Sequence, residues 1–101
     1  MKVLVLTTWE NPKSDEGLKK YWDFMEKHRE YMTERFKKYN VKRSAWADGI
    51  GKVYDLREFE SYDAYAKFFD DEEFHRIWIN FSRLVNNLKI KVLRESFKSP
   101  S

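Results

Sequence analysis

A chain of 101 residues with no cysteine is one domain in length and leaves no thiol for a disulfide, a zinc–thiolate centre, an iron–sulfur cluster or a covalent nucleophile. Its 42% hydrophobic and 18% aromatic content is too apolar for a disordered chain; no apolar run nears the roughly 18 residues of a membrane span, and Val3–Leu6 is short of the roughly 7–15 of a signal-peptide core. The net charge is +3, but bases alternate with acids (Glu16–Lys20, Asp23–Lys27 and Glu34–Lys38, acid before base at i,i+4), which describes a solvated helix face, argues against nucleic acid and fits a soluble, cytoplasmic protein.

Residues 2–9 read as a strand, β-branched and closed by Asn11-Pro12. Ser14 is placed as an N-cap, with Asp15 and Glu16 in the first turn. Leu18, Trp22, Met25, Arg29, Met32 and Phe36 then recur at three-four spacing beside Tyr21, Phe24, His28 and Tyr31, an amphipathic helix interrupted only by Arg29 and ended by Asn40. Val41–Ala47 and Lys52–Phe59 form a hairpin around Asp48-Gly49-Ile50-Gly51, whose glycines can take positive φ. Ser61 caps a short helix over Tyr62–Phe69. Asp70 is expected to cap the next, with Glu73 completing a capping box. Its apolar stripe runs from Phe74 through Ile77, Trp78, Phe81, Leu84 and Val85 to Leu88, and Asn86-Asn87 fray its end. Lys89–Phe97 is the last strand, so one domain spans 1–97 and 98–101 is a loose tail.

The order β-α-β-β-α-β, with the second helix broken near Asp70, is that of an α+β, ferredoxin-like chain: a four-stranded antiparallel sheet with its helices on one face. Alternation places Leu4 and Leu6 opposite Val3, Val5 and Trp9, Tyr54 and Leu56 opposite Val53 and Phe59, and Ile90 and Val92 opposite Leu93 and Phe97. Both faces are apolar, yet helices cover one, leaving about six apolar side chains for water in a monomer. The expected cover is a second copy, sheet against sheet.

On the run Val53-Tyr54-Asp55-Leu56-Arg57-Glu58-Phe59-Glu60-Ser61-Tyr62-Asp63-Ala64-Tyr65 and the helix break Asp70-Asp71-Glu72-Glu73-Phe74, the chain resembles the dimeric α+β barrel superfamily, in its small NIPSNAP-like and antibiotic-biosynthesis-monooxygenase-like branch. The resemblance implies a homodimer with a pocket between each sheet and its helices, and activities that range from cofactor-free monooxygenases and isomerases to haem-degrading oxygenases. The haem-degrading branch uses an Asn, a Trp and a His at positions held here by Thr7 or Thr8, Phe68 and Trp78. Haem is therefore not expected, nor any other cofactor.

Several residues carry a chemical reading beside a plainer one. His75 follows Glu72 at the spacing of a di-iron pair, but the second pair is missing, so no metal is expected and a surface helix histidine is the simpler reading. His28 is either a packed amphipathic residue or, facing a pocket, a proton carrier. The acids at 70–73 suit helix capping, since no calcium loop accompanies them. Asp55 and Arg57 alternate with Val53 and Phe59 onto one face, expected to be the barrel side, either ion-paired with Arg43 or Arg94 or anchoring a ligand carboxylate. Trp9, Trp46, Tyr54 and Trp78 line an aromatic pocket or simply pack. The functional expectation is a small apolar or aromatic molecule bound between sheet and helices. In the catalytic version, a cofactor-free oxygenase or isomerase, His28 or His75 moves a proton and Arg43 or Arg57 orients an anion. The alternative is a non-catalytic binding or assembly module of the same fold. An RNA-binding domain comes third, because Lys52-Val53-Tyr54-Asp55-Leu56 lacks the glycine-aromatic run of RNA-recognition strands.

Overall fold

In Val3–Glu10 (β1), Val3, Val5, Thr7 and Trp9 are buried while Leu4, Leu6, Thr8 and Glu10 are half-buried. That period of two marks a strand covered differently on its two sides. The computed structural model describes residues 1–96, so Phe97 and the expected tail 98–101 lie outside the described residues.

The long helix Asp15–Lys38 (α1) starts where the Ser14 hydroxyl accepts the Gly17 N–H at 3.0 Å. It ends in a left-handed residue, Asn40 at φ 51°, with the Val41 N–H returning to the Phe36 carbonyl at 2.8 Å. Its inner face is turned by about one residue from the stripe read in the sequence. Tyr21 and Arg35 are buried and His28 lies between them, seven residues from each, whereas Trp22 is 59% exposed and Arg29 is a surface residue paired with Glu26. Tyr, His and Arg place apolar bodies inward while keeping polar tips, so a stripe counted on aliphatic residues alone is offset.

Lys42–Ala47 (β2) and Lys52–Phe59 (β3) pair antiparallel. Their turn is held by Asp48 Oδ1, which accepts the Ile50 and Lys52 N–H groups, both at 3.0 Å, and Gly51 takes φ 89°. Tyr62–Phe69 (α2) is capped by Ser61. In Glu72–Ser82 (α3) the cap is Asp71, accepting from Glu73 and Phe74, not Asp70. Asp70 still donates its N–H to Ala66 and so belongs to the end of α2; Glu73 falls one position early and no capping box forms.

The last strand is Asn86–Arg94 (β4), three residues earlier than expected at its start. Leu84, Val85 and Leu88, read as helix, lie in the turn and the strand. Asn86 and Asn87 are strand residues, and Asn87 takes φ 53° beside a register shift opposite Thr8–Glu10. The turn at Arg83 to Val85 makes the switch from helix to strand, and the register shift bends the new strand where it begins.

The sheet order is β2-β3-β1-β4, antiparallel throughout, which with the helices on one side is the ferredoxin-like α+β fold. Two buried clusters lie between sheet and helices. One contains Val3, Val5, Phe59, Phe68 and Phe74, the other Trp9, Tyr21, Val53, Phe81 and Val85; Trp78 packs against both. At the first, buried Arg35 ties α1 to the α2–α3 junction by donating to Asp71 Oδ2 (2.6 Å) and to the Phe68 carbonyl. On the far side of the sheet, register puts Leu4, Leu6, Trp46, Tyr54, Leu56 and Leu93 together with no helix over them. Among the described residues no helix is long and apolar enough to cross a membrane.

Candidate functional site

Between the two clusters the inner face of the sheet turns polar. Thr7 sits opposite Asp55, and Val5 opposite Arg57, which in turn faces Arg43 on β2. Thr7, Asp55 and Arg57 are all buried, Asp55 completely. Asp55 Oδ2 accepts Arg43 Nε and Nη2 at 2.8 and 2.6 Å, and Oδ1 accepts Arg57 Nε at 3.1 Å. The expected ion pair with Arg43 is thus present within the sheet, and Arg94 instead stacks over Tyr62. The expectation that Asp55 and Arg57 face the barrel side is corrected: both point under the helices, because they share the parity of the core residues Val53 and Phe59.

Over this row lies a cavity of about 400 Å³. Its floor is Asp55, Arg57 and Arg43. Trp9 and Phe36 flank them, α1 contributes Phe24, Met25, His28 and Met32, and α3 contributes Phe74, Ile77, Trp78 and Phe81, with Trp22 and Arg29 also on its boundary. Of the residues singled out in the sequence, the cavity therefore gathers His28, Trp9, Arg43, Arg57 and Trp78. His75 is exposed on α3 and does not reach it. Trp46 and Tyr54 stand on the opposite side of the sheet, being in register with one another and out of phase with Asp55. The cavity also takes in Phe24, Met25, Met32 and Phe36 of α1, which the sequence marks as an apolar helix face and not as a site.

Local environment sets the protonation states. Burial, with Lys27 adding to it and Glu73 opposing, holds the His28 imidazole below its ordinary value of 6.5, so it is neutral at pH 7. Its ring packs on Phe24 with centroids 4.5 Å apart. Burial pushes the Tyr21 phenol up, and burial pulls the Arg57 guanidinium down against the attraction of Asp55. An arginine so placed remains charged at any physiological pH. Among the described residues no group of His, Asp and Glu side chains converges as metal ligands would.

No family model matches the chain, and no curated protein matches it. Solved structures do. A conserved protein of Methanosarcina mazei superposes with TM-score 0.71 at 10% identity, covering 95% of this chain and 94% of that one. A point variant of SnoaB, a cofactor-independent oxygenase from Streptomyces nogalater, gives TM-score 0.71 at 10% identity over 99% of this chain and 98% of that one. A NIPSNAP family protein of Agrobacterium tumefaciens gives 0.61 at 14% identity, covering 99% and 98%. This chain has their fold. The resemblance to NIPSNAP-like and monooxygenase-like chains read from the β3–α2 run is met at the level of this ferredoxin-like architecture, which hosts unrelated chemistries and leaves function to the site.

Proposed function

We propose that the chain binds a small apolar or aromatic molecule in the cavity between α1, α3 and the sheet, and that His28 exchanges a proton with it, as in a cofactor-free isomerase or oxygenase. The observation that carries this reading is the polar row Arg43–Asp55–Arg57 cut into an otherwise apolar layer at the floor of the cavity. Apolar residues in those places would fill the space at less desolvation cost, and departures from packing economy of this sort cluster where a site is built. A neutral imidazole on the wall accepts a proton from an acidified C–H or O–H, leaving the electron pair on the ligand. Return of that proton to a different carbon is an isomerisation; addition of dioxygen to the carbanion is an oxygenation. The aromatic walls keep water from quenching either intermediate. SnoaB, a cofactor-independent oxygenase of the same fold, supports the oxygenase branch by analogy of architecture.

The reading includes a homodimer. Leu4, Leu6, Trp46, Tyr54, Leu56 and Leu93 form one patch on the helix-free face, with Trp46 67% exposed. At about 1.5–3 kcal/mol per large side chain taken from full exposure to burial, and less for the half-buried Leu4, Leu6 and Leu56, the patches of two copies together reach the scale of an association cost of about 4–15 kcal/mol.

The test is native mass spectrometry of the purified protein for a co-purified small molecule, followed by thermal-shift screening of one- to three-ring aromatics against wild type and Met25→Trp, which fills the cavity. Binding by wild type and not by Met25→Trp is expected, and a hit's conversion is lost in His28→Gln while its binding persists. Hits that bind both proteins equally place the ligand elsewhere and refute the reading. Binding without conversion in any protein leaves a binding module of the same fold.

A further inference from the structure

The charge at the cavity floor does not cancel. Arg43 and Arg57 bring two guanidinium groups to the one carboxylate of Asp55. Asp55 commits Oδ2 to Arg43 and Oδ1 to Arg57 Nε, and among the described residues the two terminal nitrogens of Arg57 donate to no protein group. Arg57 is only 9% exposed, and it lines the cavity. The other carboxylate at the cavity, Glu26, is taken by Arg29 at 2.5 Å. Phe36 lies against both cations, its ring centroid 5.1 Å from Arg57 Cζ and 5.7 Å from Arg43 Cζ. A ring face lessens the cost of holding the charges but supplies no lone pair for an N–H. What remains is a single excess positive charge and an open pair of N–H donors at the inner end of an aromatic and thioether-lined recess. These donors face the open cavity, so an anion of matching geometry meets them without first breaking a protein contact.

We propose, building on the cavity-binding reading above, that the ligand is an aromatic monocarboxylate whose carboxylate docks on the free fork of Arg57 and whose rings lie among Phe24, Met25, Trp78 and Phe81. A planar carboxylate matches the two parallel N–H groups of a guanidinium fork. A dianion such as a phosphomonoester exceeds the one uncompensated charge, and a neutral arene leaves the fork bare. The cavity, about 400 Å³, sits low in the roughly 300–1,000 Å³ range of small-molecule sites and so suits one or two rings. Asp55 then acts as a positioning residue, aiming Arg57 by its Nε and holding Arg43 beside it without touching the ligand.

The test is isothermal titration calorimetry of the full chain at pH 7 with naphthoate and with naphthamide, which share shape and differ in charge. Naphthoate is expected to bind at least about tenfold more tightly, the scale of a charge-assisted bidentate pair. Arg57→Met is expected to erase that preference while naphthamide binding changes little, since Asp55 keeps Arg43. If Arg57→Met does not fold, Arg57→Lys, which retains charge and loses the fork, is expected to reduce the preference without erasing it. Equal affinities for the two probes in wild type overturn the monocarboxylate assignment and leave the cavity reading standing. Binding of neither overturns both, and a naphthoate preference that survives the Arg57 change places the anion site elsewhere.

Discussion

Replacing Asp55 by Ala removes the acceptor of three N–H bonds from a position with 0% exposure. The two arginines lose unequally. Arg43, whose side chain is 33% exposed, can turn to water, whereas Arg57, with 11% side-chain exposure, keeps its charge under the helices without a protein acceptor. Breaking a buried pair by deleting one partner costs about 3–5 kcal/mol, and the exposure of Arg43 together with water in the cavity sets the expected loss near the lower bound, about 3 kcal/mol. For a chain of this length that is a fall of roughly 12–24 °C in Tm, at about 4–8 °C per kcal/mol. Urea unfolding followed by circular dichroism, at matched protein concentration, reads the difference directly. The double variant Asp55→Ala/Arg57→Met removes the stranded charge with its partner and is expected to regain at least about half of the loss, the coupling that neighbouring groups show in such cycles. A loss for Asp55→Ala below about 1 kcal/mol, the scale of an exposed pair, or a double variant no more stable than the single, refutes the account of the polar row as a desolvated, mutually dependent set.

Gly17→Ala is expected to destabilise α1 although Ala is the better helix former by about 1 kcal/mol, because the new Cβ meets Pro12 Cβ at 2.8 Å and the capping Ser14 Oγ at 2.9 Å; Gly49→Ala, with nothing within 4 Å, is the neutral control by thermal melting. The Phe74 N–H above all, then Arg35 and the Glu73 N–H, hold the Asp71 carboxyl below its ordinary 3.8. Its contribution is therefore complete above that pH and lost as pH falls through the lowered native value. Asp71→Ser keeps a cap but takes the counter-charge from Arg35, which retains the Phe68 carbonyl, so it is expected to cost about 1–2 kcal/mol at pH 7 and to flatten the acid limb of a stability–pH curve. The unfolded chain takes up the His28 proton before the native one does, so stability declines as pH falls from about 6.5 toward the lowered native value; His28→Gln is expected to lack that slope in urea titrations. Leu6→Lys, in the centre of the helix-free patch, is expected to reduce the mass in sedimentation equilibrium from twice 12.4 kDa to 12.4 kDa with the far-ultraviolet spectrum unchanged; an unchanged mass counts against pairing through that face.

Element order, hairpin and topology were legible because each rests on a local signal. Ser14 and Ser61 mark helix starts, Asp48 to Gly51 mark a turn, and the short β-branched run ended by Asn11-Pro12 marks the first strand. What the sequence misplaced depends on which tertiary surface a residue meets. The inner row Tyr21–His28–Arg35 is hidden to a hydropathy count, since each residue buries its body and keeps a polar tip. Asp70 and Asp71 are equivalent as caps on paper, and the choice falls to the residue that Arg35 reaches from α1. The start of β4 was displaced because Leu84, Val85 and Leu88 continue the α3 spacing, and only the turn after Ser82 and the left-handed Asn87 reveal the switch. For the site, the aromatic residues were recognisable by type but not by side: Trp9 and Trp78 reach the cavity while Trp46 and Tyr54 stand behind the sheet. Parity groups Asp55 with Val53 and Phe59 on one face, and it takes the helices packed over Phe59 to show which face that is.

The row of charge also divides the molecule mechanically. Among the described residues, Trp78 is the side chain common to the clusters on either side of it. The two half-cores share β1, β3, α1 and α3 as backbone and meet through side chains at that one indole, so the Val3–Phe59 and Trp9–Val53 ends differ in the amide exchange that proceeds by local opening. An occupant of the intervening space touches both and welds them, narrowing that difference.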